Sequence, residues 1–496
     1  MGIIARQSIK NSVFTYLGFA LGALNTMILM PAAMAKEQVG LLQAMTSYTN
    51  IVIAFLTLGM PMVIVRFFGE YRDKGKAGNL LSFAVMVPFS VFSLGVFFYL
   101  FFKDEILNLI TKEHEPLLYS YFSLTLIMVF SNLLFELLAA FLRAHLVSVY
   151  QVFLKEFFLR FLNTVSFSLF FFGIYPYKTL VYIYVACFAL ISILLLLSSI
   201  NYIRLYGIGL AGLPGKKKIA DYGFFTVLNK GITFLVFQLD LVMIQYFNGL
   251  AELAVYSLAL AIAIFVQLPE RAQMPIVHGV ITKAFHENNM AEVAKVYKKS
   301  SLTLFIIGGV VVGLLCICLP AFNTIILPDS YLIGLTPVFI LLALAKWVDI
   351  SFGLNGYIIL QSKYYRFEMW SGLALLALAF FLNWIFITNY GMVGAATASL
   401  ISLSAYNIFR FLFIFFKLKM SPFTFDTVKA LGILAVAFFI SYLLPFEWNN
   451  LAYAIVRGTL FLFLCLLGIW WLKPSEDIHT IAGKLLAQIS TRMLRK

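Results

Sequence analysis

The stretch "FQLDLVMIQY", residues 237–246, sets a carboxylate, Asp240, inside a run of Phe, Leu, Val, Met and Ile. A charge at the centre of a bilayer costs at least ~3 kcal/mol on insertion scales. Either this run does not enter a membrane, or Asp240 faces something other than lipid. Composition decides the first point. The chain has 496 residues, 62% hydrophobic and 12% charged, whereas soluble domains run about 45–50% apolar and about 25% charged. Apolar stretches of spanning length, about 20 residues, recur from end to end. The sequence reads as an all-α polytopic membrane protein with about fourteen transmembrane helices. They lie near 11–33, 41–65, 79–102, 117–142, 149–173, 179–202, 221–246, 253–281, 300–321, 335–361, 369–388, 393–416, 427–445 and 451–472.

The net charge of +14 is distributed as a membrane protein distributes it. Arg66, Arg72, Lys74, Arg143, Arg204, Lys216–Lys218, Lys283, Lys298, Lys363 and Lys417 fall on one side of the spans. The opposite loops hold few cations, several of them beside acids such as Asp104, Glu105 and Glu113. By the positive-inside rule both termini are expected in the cytoplasm. The first apolar run is too long for a cleaved signal peptide and is followed at once by a second, so it reads as an uncleaved helix. Nucleic acid is excluded as a partner by this placement. ATP is excluded as an energy source: "GLPGKKK" at 212–218 lacks both the first Gly and the Ser or Thr of a phosphate-binding loop. Cys187, Cys316, Cys318 and Cys465 all lie in apolar runs without His neighbours and read as core residues. No metal site and no cofactor are expected.

Three weak matches fall in order at nearly one offset. Phe14-Thr15 matches Phe225-Thr226, "AKEQVGLLQA" matches "LAELAVYSLA", and "MPMV" at 60–63 matches "MPIV" at 274–277. They predict two pseudo-symmetric six-helix lobes in a parallel repeat. The boundaries read as a first lobe at 1–205, a basic linker at 206–220, a second lobe at 221–416, two further spans at 427–472 and an amphipathic cytoplasmic tail at 473–496. No loop is long enough for a folded domain outside the membrane. Ionisable residues within the spans can face a cavity between packed lobes.

Intramembrane charges are therefore the functional candidates. Glu136 and Lys155 flank a tight turn at similar depth and read as a structural ion pair. Glu156 and Arg160 share one helical face. Arg410 and Arg457 lie near span ends and are expected to snorkel. Arg160, Lys230 and Lys346 are too deep for that and suggest a cationic cavity suited to an anionic cargo such as a pyrophosphate; the alternative is structural pairing with Asp349 and other acids. Arg271 joins them, because Glu270-Arg271 sits between Pro269 and Pro275, where helix distortion is expected and irregular backbone lines cavities.

Several stretches carry a family likeness. "LGMPMVIVRFFGEYRDKGK" at 58–76, "QLDLVMIQYFNGLAELAVYSLALAIA" at 238–263, "GLNGYIILQSKYYR" at 353–366 and "NYGMVGAATASLIS" at 389–402 resemble polysaccharide transporters of the multidrug/oligosaccharidyl-lipid/polysaccharide exporter superfamily. The likeness covers most of the first twelve spans, with Leu41 where the family often has Tyr. It implies a flippase that moves undecaprenyl-pyrophosphate-linked oligosaccharide across the bacterial inner membrane by alternating access. Energy would come from an ion gradient or the membrane potential, with Asp240 and Asp349 as the candidates for binding a coupling cation, H⁺ or Na⁺. The alternative for both acids is helix packing. The expected partners are the lipid-linked anionic saccharide, the cation and membrane lipid, and the expected state is a monomer. A cation-coupled multidrug exporter of the same superfamily and a lipid II flippase are the nearest rivals. A membrane enzyme is disfavoured: no large external loop suggests a polymerase, and neither His145 nor His278 has the partners an acyltransferase needs.

Overall fold

The computed structural model describes residues 3–111, 115–207, 209, 215–443 and 450–475; the Lys230 side chain, most of the tail and part of the basic linker lie outside them. The described residues are almost entirely helical. Eleven helices among them are long and apolar enough to cross a membrane. The fourteen spans of the sequence map onto these once three features are recognised. The helix Tyr365–Leu418 is broken at Gly391 (φ 56°, ψ −139°) and holds two spans. The stretch 149–171 crosses as a π-helical turn between two α-helical pieces and carries Lys155, Glu156 and Arg160. The helix Lys216–Asn248 supplies the remaining one.

In lipid, apolar surface gains nothing by leaving the surroundings, so helices associate through close packing and small residues. Two compact units result, residues 1–257 and 258–496. In the first, the helices Lys36–Leu56 and Lys216–Asn248 pack antiparallel, with Gly231 beside Phe55 and Gln245 beside Tyr48. Glycines set the distance. A Cβ on Gly40 would stand 2.0 Å from the Leu250 carbonyl oxygen, and one on Gly59 would stand 2.4 Å from that of Gly223. Between these ends Tyr48 Oη donates to Gln245 Oε1 (2.6 Å). This contact explains why helix 216–248 groups with the residues before it.

The second span of the sequence reading is not continuous. Leu58 (φ 48°) and Gly59 (φ 70°) are both left-handed, a conformation costing a non-glycine residue about 1–2 kcal/mol. The helix Lys36–Leu56 stops there, and Met60–Asp73 restarts with Pro61 in its first turn, where proline lacks no bond it would otherwise make. The eighth span was expected to distort between Pro269 and Pro275. The irregularity is a 3-10 turn, Ile264–Gln267, just before Pro269, and Leu268–His286 is regular α-helix. Pro269 sits in the first turn, where it costs no bond and marks the restart, whereas Pro275 lies inside the helix.

Each unit has a core at the end bearing the basic loops. Val63 and Phe67 are buried in the first, Val277 and Ile281 in the second. Both pairs stand 214 residues apart, the offset of the "MPMV" and "MPIV" matches. The offset of the sequence matches therefore also relates buried positions in the two cores.

Candidate functional site

The helix Thr125–Ala144 carries Asn132, Glu136 and Arg143 at spacings of four and seven, which align them on one face of a 3.6-residue helix. His145–Ser148 turn the chain, with Leu146 left-handed at φ 61°. The returning chain brings Gln151 against Arg143, whose Nη1 donates to Gln151 Oε1 (3.3 Å). Deeper in, Lys155 Nζ donates to Glu136 Oε1. Glu136 lies ten residues before Leu146, ~15 Å along the helix at 1.5 Å per residue.

The two ion-paired residues line a cavity of about 140 Å³ within the first unit. Its other polar walls are Asn50, Thr57, Asn132, Arg143 and Thr226, and Phe234 contributes an apolar face. The broken backbone at Leu58–Gly59 gives this cavity one wall through Thr57, Gly59 and Pro61. Lys155 and Glu136 are 43% and 26% exposed, so the pair meets the cavity and is not sealed in packing. The sequence reading of a structural pair is right about the partners and incomplete about the place. What it missed is the wall around the pair: Asn132 and Arg143 share Glu136's face, a polar periodicity visible in the sequence.

Lys155 lies in the π-helical turn Phe153–Phe158. Such wide turns concentrate at functional sites because they re-aim side chains. Here successive residues diverge: Lys155 meets the helix Thr125–Ala144, and Glu156 meets the first helix. Arg160 Nη1 donates to Glu156 Oε2 (2.8 Å) and to the Glu156 carbonyl (2.9 Å). The Arg160 side chain crosses Gly18 and Gly22, whose added Cβ atoms would stand 3.0 and 3.2 Å from it. Asn25 Nδ2 donates to the Arg160 carbonyl (3.0 Å) from a second π-helical turn, Asn25–Leu29. Arg160 is thus held at a helix crossing.

Asp240 faces protein. Tyr256 Oη donates to its Oδ2 (2.8 Å), and Tyr256 is fully buried. The acid and the tyrosine of the "QLDLVMIQYFNGLAELAVYSLALAIA" stretch are one hydrogen-bonded couple. This answers the question raised by the charge in an apolar run.

In the second unit Asp349 accepts from Asn407 Nδ2 (2.9 Å) and Gln267 Nε2 (3.3 Å), and Asn355 Nδ2 donates to Asn407 Oδ1 (2.9 Å). Both Asp349 oxygens are met by amide donors. Lys346, one turn earlier, is 6% exposed, while Arg271 is exposed. The two arginines expected to snorkel do not. Arg410 pairs with Glu368, at 14% and 18% exposure, and lies 3.8 Å from the Tyr406 ring centre. Arg457 is 7% exposed and lies 3.7 Å from the Tyr453 ring centre. Aromatic faces and a carboxylate inside the protein replace the membrane surface as partners of these guanidinium groups. Among the described residues no group of three or more His, Cys, Asp or Glu side chains could hold a metal ion.

The chain is thus a many-helix fold, broken at Leu58–Gly59 and Gly391, with a polar cavity inside its first unit. The fold is similar to that of the lipid II flippase MurJ in an inward closed conformation, with a TM-score of 0.76 and 16% identity over 94% of this chain and 98% of that one. It is similar to a multidrug resistance MATE family transporter of the MOP superfamily in an inward-facing conformation, at 0.65 and 15% over 84% and 98%. A MOP superfamily transporter from Pyrococcus furiosus matches at 0.54 and 15% over 83% and 95%. No protein-family model and no curated protein matches the sequence. The chain has the fold of this flippase and exporter superfamily and is a multi-pass membrane protein.

Proposed function

We propose that this protein is a flippase that carries an undecaprenyl-pyrophosphate-linked oligosaccharide from the cytoplasmic to the periplasmic leaflet of a bacterial inner membrane by alternating access. The observation that carries the reading is the cavity of the first unit, where Arg143, near the end bearing the basic loops, and Lys155, deeper in, outnumber Glu136. A cationic surplus in a medium of low dielectric suits a phosphate-bearing head group and repels cationic drugs, which favours a saccharide carrier over a multidrug exporter. Lys230, whose side chain lies outside the described residues, stays a candidate for the same cargo from its place in the sequence alone. Arg160, Lys346 and Arg271 are secondary candidates for the anionic cargo. Asp240 and Asp349 are the candidates for a coupling cation, H⁺ or Na⁺, and the cycle includes no catalytic step.

A lipid II flippase is the second reading. The similarity to MurJ extends over 94% of the chain, against 84% for the MATE transporter, and lipid II shares the pyrophosphate chemistry. The test is reconstitution in proteoliposomes with two labelled cargoes, a lipid-linked oligosaccharide and lipid II. Movement of the oligosaccharide supports the first reading, movement of lipid II alone supports the second, and movement of neither removes both.

A further inference from the structure

The second unit holds a larger cavity that no step of the transport reading uses. It measures about 530 Å³ and runs between four helices, Met290–Ile326, Asp329–Ser351, Phe425–Leu443 and Asn450–Leu472. Two glycines form its floor. A Cβ on Gly309 would stand 2.4 Å from Leu434 Cδ1, and one on Gly313 would stand 2.3 Å from Phe461 Cζ, so the last two helices close on this stripe. The walls are almost wholly apolar. Thr336 and Tyr442 carry the only hydroxyl groups among the described lining residues. Trp347 presents only its ring, because its Nε1 donates to the Phe305 carbonyl (2.9 Å). Apolar walls do not hold water, and a void of this size forfeits contacts along every side chain that lines it.

We infer that this groove binds one hydrocarbon chain of a resident membrane phospholipid, seated in the leaflet away from the basic loops and filling the seam between the last two helices and the rest of the unit. The length fits. Lining residues run from Gly309 to Leu319, from Thr336 to Trp347 and from Leu431 to Tyr442. Each run covers ten or eleven residues, or ~16 Å at 1.5 Å per residue. That is the depth of one leaflet, half of a hydrocarbon core about 30 Å thick. The orientation fits as well. Tyr442 lies at the end of Phe425–Leu443 away from the basic residues Lys417 and Lys419. The Arg457 guanidinium stands 5.6 Å from the Tyr442 ring centre, so a cation lies near the end where a lipid phosphate sits. Ile340, Leu431 and Tyr442 are 38%, 49% and 55% exposed and form a mouth through which a chain enters sideways. Volume limits the guest. At roughly 30 Å³ per heavy atom the groove takes roughly 18 carbons, one acyl chain of a phospholipid and about a third of an undecaprenyl chain. Bulk lipid is as apolar as the groove, so selection comes from packing and not from hydrophobic transfer.

The test uses the full-length protein in detergent, stripped of lipid, and phosphatidylglycerol brominated on its acyl chains, which quenches tryptophan emission on contact. Trp347 lines the groove, so the reading is the part of the quenching that Trp347→Phe removes. That part is expected to saturate as the lipid fraction of the micelle rises. It is expected to be lost in Ala435→Phe, whose added ring occupies the groove, in protein that remains folded. Ile340→Phe fills the groove from the facing helix and serves if the Ala435 variant fails to fold. Unbrominated phosphatidylglycerol and undecaprenyl phosphate are the competitors, and the phospholipid is expected to compete better. Quenching at Trp347 that rises with lipid without saturating, or that survives in a filled variant that folds, overturns the inference. Better competition by undecaprenyl phosphate also overturns it and gives the groove to the cargo's own chain. The head-group reading of the first unit's cavity stands or falls separately, since none of these variants touches it.

Discussion

At the scale of single residues, the account turns on which partner each intramembrane charge has found. Lys155→Gln removes the deep cation of the cavity and its ion pair with Glu136. The expected result is a loss of diphosphate-sugar binding of at least ~10-fold, a cost ordinary for removing one partner of a desolvated charge pair, read by titration against protein of unchanged oligomeric state. An unaltered affinity would place the head group elsewhere. Tyr256→Phe removes the hydrogen bond that Tyr256 Oη donates to the Asp240 carboxylate. A loss of roughly 1.5–3 kcal/mol is expected from a lost bond to a charged group, measurable as a lowered Tm. Asp240→Asn keeps an acceptor for Tyr256 and abolishes titration. Its transport across pH and Na⁺ separates the coupling proposal from a purely structural tie: normal transport under all conditions would end the coupling role.

Glu115 gives a pH dependence outside the membrane spans. Its Oε1 accepts from the Leu250 backbone N–H (2.7 Å). Burial pushes its carboxyl above the usual range, Glu37 nearby adds to this, and the Leu250 bond opposes it. The folded protein therefore holds the proton more tightly than the unfolded chain. Its stabilising contribution is complete below the ordinary value of 4.5 and is lost as pH rises through the raised folded value. Glu115→Gln cannot titrate. The Tm of the wild type should fall relative to that variant as pH is raised from 4.5 upward; a difference that is constant, or of opposite slope, would remove Glu115 from the linkage.

At the scale of elements, glycine positions the helices. A Cβ on Gly18 would stand 1.8 Å from the Glu156 carbonyl oxygen, and nothing lies within 4 Å of one on Gly95. Gly18→Ala must separate the first helix from the π-helical turn, and overpacking of this kind costs roughly 1–3 kcal/mol. Gly95→Ala is the control, and equal Tm values for the two variants would contradict the close crossing. The long helix Tyr365–Leu418 makes a related point. It reverses at Gly391 and brings Glu368 and Arg410 together from its two arms. That pairing was illegible in the sequence because 42 residues and a reversal separate the partners. Proximity to a span end made snorkelling the natural expectation. Glu136 and Lys155 were legible for the converse reason: one tight turn joins their helices, so depth could be counted along the chain. The cavity around them was not legible, since Thr57 and Thr226 reach it only through the break at Leu58–Gly59 and the antiparallel packing of helix 216–248.

At the scale of the whole molecule, hydropathy carried the class and most of the spans, because a bilayer demands long apolar helices. It did not carry the breaks. Left-handed residues at Leu58 and Gly59 interrupt an apolar run without changing its hydropathy, and the two π-helical turns leave no mark on composition. The repeat was legible at an offset near 214 because equivalent core positions keep equivalent residues, as Val63 and Val277 do. The cationic candidates were read from depth alone, and depth does not report partners. Arg160 is clamped to Glu156 at a helix crossing, whereas Lys155, discounted for its neighbour, meets the cavity.

The central claim is that the cavity of the first unit carries an anionic, lipid-linked head group across the membrane. The most direct measurement is leaflet exchange of a labelled isoprenoid-diphosphate oligosaccharide in proteoliposomes containing wild type, Lys155→Gln or Gly95→Ala at matched density. Exchange is expected from the wild type and from Gly95→Ala, and none above protein-free vesicles from Lys155→Gln in protein that remains folded. Exchange by Lys155→Gln at the wild-type rate would contradict it.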